Sequence, residues 1–169
     1  GSYEVGDRLT VRVVMSANEA INAVSGELKF PPSMFVVDSV SKFSSILNFW
    51  VSEPSHSNTL GKINFEGVVL GGFQGGTGTV VTVTLRALNP GSGKIDFVSG
   101  QVLANDGQGT NVTQGTSGAS FNITEATKPK TPEKKVEVIE EVVKPELTAP
   151  EIEFVRRYGE KAISGTSDY

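Results

Sequence analysis

The chain has 169 residues, a length that fits one domain with appended segments. It contains 19 glycines and 8% aromatic residues, which is typical of an all-β protein, and no cysteine, which excludes disulfide bonds and thiolate chemistry. The formal net charge of −4 is mild and argues against nucleic-acid binding. The sequence has no apolar run of membrane-helix length, so no membrane-inserted segment is predicted.

Alternating apolar and polar residues dominate the chain up to about residue 123. This period of two predicts half-buried strands, because successive side chains of a strand point to opposite faces. The alternation is clearest in RLTVRVVM (8–15), VSGELKF (24–30), KINFEGVV (62–69), VVTVTLRAL (80–88), KIDF (94–97) and ASFNI (119–123). Turn-forming residues at 31–33, 54–58, 71–78 and 89–93 separate these runs. Strands with one apolar face each need a covering sheet, so we predict an antiparallel β-sandwich.

The composition changes at Thr124, which marks a domain boundary. Residues 1–123 carry 7 Lys/Arg and 9 Asp/Glu, whereas the much shorter segment 124–169 carries 8 and 10. We therefore predict a β-sandwich over 3–124 and a charged, proline-rich linker over 125–149. Residues 150–169 again have a strand-and-turn pattern and are predicted to begin a following immunoglobulin-like module. Gly1-Ser2 is typical of a cloning remnant, so a signal peptide further upstream would not be seen.

The sequence offers little for catalysis. Its single histidine, His56, has Ser55 and Ser57 beside it, but neighbours on an extended segment do not point at one another, as a triad requires. We predict that His56 is a solvent-exposed loop residue. No nucleophile-elbow or phosphate-loop motif is complete, so we do not expect an enzyme.

The segment VLANDGQGTNVT (102–113) has two interpretations. A loose calcium site could use oxygens of Asn105, Asp106 and Asn111, although no frame of the segment fits the EF-hand pattern. Asp106-Gly107 is also a favoured turn, because glycine readily adopts positive φ. We prefer the turn and therefore predict no bound metal and no cofactor.

With the strands placed, the order of motifs resembles the cohesin domain of cellulosomal scaffoldins. The resemblance covers about 3–124 and runs through VGDRLTVRVVM, INAVSGELKFPPSMFVVDSV, GKINFEGV, TVVTVTLRAL, KIDFVSGQVLANDGQGTN and GASFNI. It implies a jelly-roll sandwich of about nine strands without catalytic activity, which binds a dockerin through one sheet face. The pattern is also similar to cohesin-like modules of bacterial surface proteins outside cellulosomes. This implies an extracellular or cell-surface location.

The resemblance places the partner-binding face on the outward residues of the central strands. These candidates are Ser25, Glu27, Lys29, Asn64, Glu66 and Asp96. Cellulosomal cohesins of the first type often have Asn and Asp in the strand that corresponds to 23–29, where this chain has Ala23 and Ser25. This departure bears on which dockerin is recognised and leaves the predicted fold unchanged.

Two other functions remain open from the sequence. Carbohydrate binding would use exposed aromatic rings, for which Trp50 and Phe73 are the candidates, and would make a polysaccharide the partner. Phe49 and Trp50 are adjacent, so one of them is expected to face the core and the other solvent. The third function is that of a spacer in a surface stalk, without a ligand. The sequence predicts no oligomeric state.

Overall fold

The computed structural model describes residues 2–127, 156–158 and 161–163. The first of these ranges contains seven strands and no helix, which confirms the predicted all-β class. The strands are β1 (Ser2–Glu4), β2 (Arg8–Lys29), β3 (Phe35–Ser41), β4 (Phe49–Ser57), β5 (Lys62–Ala87), β6 (Gly91–Ala104) and β7 (Ala119–Thr124). In the described part of the chain, no helix is long and apolar enough to cross a membrane.

Two strands are far longer than the sequence pattern predicts. β2 joins the predicted runs 8–15 and 24–30, and β5 joins 62–69 and 80–88. The predicted turn at 71–78 is therefore wrong, because the chain continues through it as strand. Gly71 and Gly72 take φ values of 90° and 79°, and the β2–β5 register shifts nearby, so these glycines bend the strand without reversing it.

The bends allow each long strand to contribute to two layers. The front layer has the order β4, β5 (62–70), β2 (21–29) and β6 (96–104). The back layer pairs β3 with β5 (79–87) and β5 with β2 (8–15), and it includes β7 between β6 (91–95) and β1. β1 and β7 are parallel, and the other strand pairs of these two layers are antiparallel.

The core lies between the two layers, where the apolar faces of the predicted strands meet. Leu9, Val81, Val83 and Leu85 of the back layer and Val24, Leu28, Ile63 and Phe65 of the front layer are all buried in one cluster. Gly26 lies opposite Phe65, and a Cβ at Gly26 would lie 2.5 Å from Cζ of Phe65. The aromatic ring therefore fills the space that a side chain at position 26 would need. The predicted alternation is confirmed for these strands.

The rest of the chain forms a second compact unit, Pro132–Tyr169, separate from the first unit, Gly1–Thr131. Its described residues form β8 (Arg156–Tyr158) and β9 (Lys161–Ile163), which pair antiparallel. The immunoglobulin-like module that is predicted to begin in 150–169 stays a prediction. Apart from 125–127, the predicted linker at 125–149 lies outside the described residues.

Candidate recognition face

The outward side of the front layer brings all six predicted partner-binding residues together. In register, Ser25 of β2 lies opposite Glu66 of β5, and Glu27 lies opposite Asn64. Lys29 lies opposite Asp96 of β6. Side chains at paired positions lie on the same face of a sheet, so the six candidates share one surface. We call this surface the front face.

An apolar row, which the sequence reasoning missed, crosses one end of the front face. Phe49, Val68, Ala23 and Leu103 lie in register across β4, β5, β2 and β6. Phe49 is 55% exposed, while the other three are half-buried. Leu70, two residues beyond Val68 on β5, is 64% exposed. A contiguous apolar strip at the end of a polar sheet face is the kind of surface that a protein partner covers.

One feature of the sequence could have revealed the part of this row that lies on β5. Val68, Val69 and Leu70 are three consecutive apolar residues, and a strand cannot direct all of them into one core. The structure buries Val69 and leaves Leu70 outside. Leu103 is also apolar, and its neighbour Ala104 is buried. Because successive side chains of a strand point to opposite faces, Leu103 faces outward.

Beside the apolar row, the front face has a shallow polar depression. Apart from Gly26 and Phe65, its lining consists of small hydroxyl or amide side chains and carboxylates: Ser25, Ser52, Ser55, Asn64 and Ser99, with Glu27, Glu53 and Glu66. The carboxylates accept hydrogen bonds and carry negative charge. The depression therefore suits a partner that presents cationic or other hydrogen-bond donors next to an apolar anchor.

Surface ion pairs hold most of the charges on and beside this face. Lys62 lies 2.8 Å from Glu27, and Lys94 lies 2.8 Å from Asp96. Glu66 forms no ion pair within the described part of the chain. Exposed pairs of this kind contribute roughly 0–1 kcal/mol, so a partner's charges can replace them readily.

The back layer presents a different outer surface. Thr10 and Thr84 are paired there, as are Arg12 and Thr82. Arg8 Nε donates to Asp38 at 3.1 Å, and Arg86 Nη2 donates to the same carboxylate at 3.2 Å. The hydrogen bond from Arg8, helped by Arg86, lowers the pKa of Asp38 below its ordinary value.

The two candidates for sugar stacking are both partly covered. Trp50 lies opposite Gly67, is half-buried and packs against the core, while Lys42 Nζ lies 5.7 Å from the centre of its ring. Its neighbour Phe49 faces solvent, so one of the two rings faces the core and the other solvent, as expected. Phe73 packs against the core as well. Both candidates are only half-buried, and sugar stacking by them stays a prediction.

The 105–111 segment is a hydrogen-bonded turn after β6. Asp106 accepts hydrogen bonds from the main-chain N–H of Gln108 and the hydroxyl of Thr110, and the Thr110 bond is the main cause of its lowered pKa. Asn111 Oδ1 accepts from the N–H of Thr113 at 2.9 Å. Within the described residues, no group of three His, Cys, Asp or Glu side chains comes together. The weak calcium prediction for Asn105, Asp106 and Asn111 gains no support from this geometry.

His56 is exposed, as expected, but it lies on a strand. β4 extends through Ser57, and the turn begins only at Asn58, so the predicted loop at 54–58 is wrong. Pairing with β5 explains the difference, because His56 lies opposite Ile63 in the ladder. The polar composition of 54–58 reflects an exposed edge strand.

No protein-family model and no curated protein sequence matches the chain. Solved structures of cohesin modules, which are β-sandwiches, do match the chain in fold. A non-cellulosomal cohesin from the archaeon Archaeoglobus fulgidus is 17% identical with a TM-score of 0.61, over 73% of this chain and 85% of that one. A cohesin module from a Clostridium perfringens family 33 glycoside hydrolase is 15% identical with a TM-score of 0.62, over 74% and 91%.

A third similar structure is a type I cohesin from Clostridium thermocellum, solved in complex with a dockerin. It is 12% identical with a TM-score of 0.63, over 74% of this chain and 89% of that chain. The resemblance to cohesin modules and the jelly-roll sandwich class are thereby confirmed. At these identities the similarity establishes the fold, and the partner has to be argued from the surface.

Proposed function

We propose that the β-sandwich is a non-catalytic binding module that attaches a dockerin-like protein domain through its front face. The observation that carries this proposal is the apolar row Phe49–Val68–Ala23–Leu103 beside a polar, carboxylate-bearing depression. A protein interface commonly has an apolar centre with a polar rim. The fold supports the same conclusion, because a cohesin of similar structure has been solved with a dockerin bound.

The front face also defines the chemistry of the partner. Phe49 protrudes from the edge strand β4, and an exposed aromatic side chain is a frequent energetic centre of an interface. The depression contains Glu66, which has no ion-pair partner among the described residues, and Glu53, which Lys42 Nζ contacts at 2.7 Å. The partner should therefore offer an apolar ridge with Lys or Arg side chains along one side. An extracellular or cell-surface multi-domain protein is the setting that we propose for such an attachment.

The partly apolar face favours a protein over a polysaccharide. Sugar binding on a β-sandwich relies on aromatic rings that stack on the sugar, and Trp50 and Phe73 both pack against the core. A spacer without a ligand would not need an apolar strip on a single face. Both alternatives are distinguished from the proposal by the experiment that follows.

The test is calorimetric titration of the full chain with a panel of purified type I and type II dockerins. We expect at least one dockerin to bind with a Kd of about 1 μM or tighter. Phe49→Ala should weaken that binding by at least about tenfold, since truncating an aromatic anchor of an interface removes about 1.4 kcal/mol or more.

Phe43→Ala is the matched control. Phe43 is 84% exposed on the turn between β3 and β4 and lies outside the apolar row, so its truncation should leave the affinity unchanged. Absence of binding to every dockerin would contradict the proposed partner class. Equal losses for both variants would contradict the assignment of the face.

A further inference from the structure

The three glutamates of the polar depression differ in what they contact. Lys62 Nζ lies 2.8 Å from Glu27, and Lys42 Nζ lies 2.9 Å and 2.7 Å from the two carboxylate oxygens of Glu53. Among residues 2–127, no side chain forms an ion pair or a hydrogen bond with the Glu66 carboxylate. Glu66 is therefore the one glutamate of the depression whose charge is not balanced by a described residue.

Glu66 lies in the middle of a row of polar side chains that crosses the front face. Ser52 of β4 lies opposite it on one side and Ser25 of β2 on the other, and Gln101 of β6 lies opposite Ser25. We call these four residues the Glu66 row. Neighbouring strands are about 4.8 Å apart, so two serine hydroxyls flank the Glu66 carboxylate. Like Glu66, the other three side chains of the row form no hydrogen bond with another residue of the described part.

The apolar row is the neighbour of the Glu66 row on the front face. Val68 follows Glu66 by two positions on β5, and Ala23 precedes Ser25 by two on β2. Two residues of a strand span about 7 Å, so a partner that covers the apolar row also covers Glu66. A carboxylate removed from water without a counter-charge is strongly unfavourable. Glu27 and Glu53 bring their own lysines into the interface, whereas Glu66 depends on the partner for a cation.

We propose that Glu66 determines specificity on the front face by selecting a partner with an arginine about 7 Å from its apolar anchor. This inference rests on the proposed function, which it extends to one residue and one partner group. A guanidinium has five N–H donors in a planar fork, so two of them can bind both oxygens of Glu66. The remaining donors are available to the hydroxyl oxygens of Ser25 and Ser52. A lysine ammonium lacks this fork geometry and is expected to bind less tightly.

The first test is calorimetric titration of the full chain with the dockerin of the type I and type II panel that binds most tightly. Glu66→Gln keeps the shape of the side chain and removes its charge, so the affinity should fall by about tenfold or more. Glu53→Gln is the matched control, because it makes the same change of net charge in the same depression. Since Lys42 already balances Glu53, this variant should weaken binding by less than about threefold. Equal losses for the two variants would overturn the proposal, because net charge alone would then explain them.

A charge exchange identifies the partner group. Glu66→Arg should weaken binding of the unchanged dockerin by about 100-fold, because two cations would then meet in the interface. Each arginine of the dockerin is changed to glutamate in turn. We expect one of these dockerin variants to bind the Glu66→Arg chain at least about tenfold more tightly than it binds the unchanged chain. If no dockerin variant shows this reversal, the proposed arginine contact is wrong.

The outcomes separate this inference from the function on which it rests. If Phe49→Ala weakens binding and Glu66→Gln does not, the role of Glu66 is overturned while the front face remains the binding surface. If no dockerin of the panel binds, both the proposed function and the role of Glu66 are overturned.

Discussion

The front and back layers share the strands β2 and β5, yet their outer surfaces differ. The outward residues of β2 in the back layer are mostly polar: Arg8, Thr10 and Arg12 pair with Arg86, Thr84 and Thr82 of β5, and the one apolar member, Val14, is 50% exposed. In the front layer, the same two strands contribute Ala23 and Val68 to an apolar row. Both surfaces lie on the outside of the same sandwich. Folding alone therefore does not require one of them to be more apolar than the other.

This contrast separates what the fold needs from what recognition needs. Threonine and arginine on the back surface favour strand structure and solubility, and the Asp38 ion pairs there are internal to the domain. Exposed Phe49 and Leu70 contribute little to a solvated sheet. They become favourable only when a partner covers them, which identifies the front face as the binding surface in our proposal.

The largest expected effect is on the core beneath the front face. Phe65→Ala should lower the free energy of unfolding by about 3–5 kcal/mol, because it removes a buried ring and leaves a cavity. Urea denaturation measures this loss. Gly26→Ala alone should also destabilise, since its Cβ would meet the Phe65 ring at 2.5 Å.

The double variant tests that contact directly. In the Phe65→Ala background, Gly26→Ala should be neutral or stabilising, because the ring no longer occupies the space. If the two substitutions are simply additive in free energy, the proposed packing of Phe65 on Gly26 is wrong.

A charge in the apolar row should affect binding more than stability. Ala23→Asp places a carboxylate among Val68, Leu103 and Phe49, and burying an unpaired charge under a partner is strongly unfavourable. We expect the affinity for a bound dockerin to fall by about 100-fold, which is about 2.7 kcal/mol. Calorimetric titration measures this change.

Thr10→Asp is the control for that variant. Thr10 is exposed on the same strand, in the back layer, so the substitution should leave the affinity unchanged. An equal loss for both variants would mean that net charge, and not the front face, governs binding.

The ion pairs of the back layer should contribute a small, pH-dependent stability. The pKa of Asp38 is lower in the folded protein than in the unfolded chain, so its contribution is present above the unfolded value of about 3.9. It is lost as pH falls through the folded value. Asp38→Asn should cost less than about 1 kcal/mol at pH 7, and this difference should shrink by pH 2.5. Urea denaturation at the two pH values measures it, and a loss that is unchanged at low pH would contradict the ion-pair explanation.

The smallest effect is expected at the 105–111 turn. Its Asp106 carboxylate is already engaged by Gln108 and Thr110, so millimolar calcium should leave Tm unchanged within about 1 °C. Thermal melts with added calcium and with EDTA measure the shift. A larger rise in Tm that Asp106→Ala abolishes would establish the calcium site.

The sequence predicts well which residues of each strand face the core, because burial repeats every second residue. Leu9, Ile63 and Leu85 are buried as their alternation indicates. The continuity of β5 was not predictable in the same way, since a glycine cluster at 71–78 is typical of a turn. Only the pairing of both flanks with β2 shows that the glycines bend the strand.

The candidate face was predictable only in part. Alternation identifies Ser25, Glu27 and Asn64 as outward residues, but it does not say which strands are neighbours. The apolar row depends on the register of four strands, in which Phe49 and Leu103 are more than 50 residues apart. Long-range pairing of this kind has no local signal in one sequence.

The pairing of β1 with β7 joins residues 2–4 to residues 122–124. A growing polypeptide cannot form this contact until Thr124 has left the ribosome. Contacts between residues so distant in sequence also require closure of a long loop, which slows folding. During synthesis, the sandwich therefore has to wait for its last strand, and until then the edge of β6 that β7 will cover is open to other nascent chains.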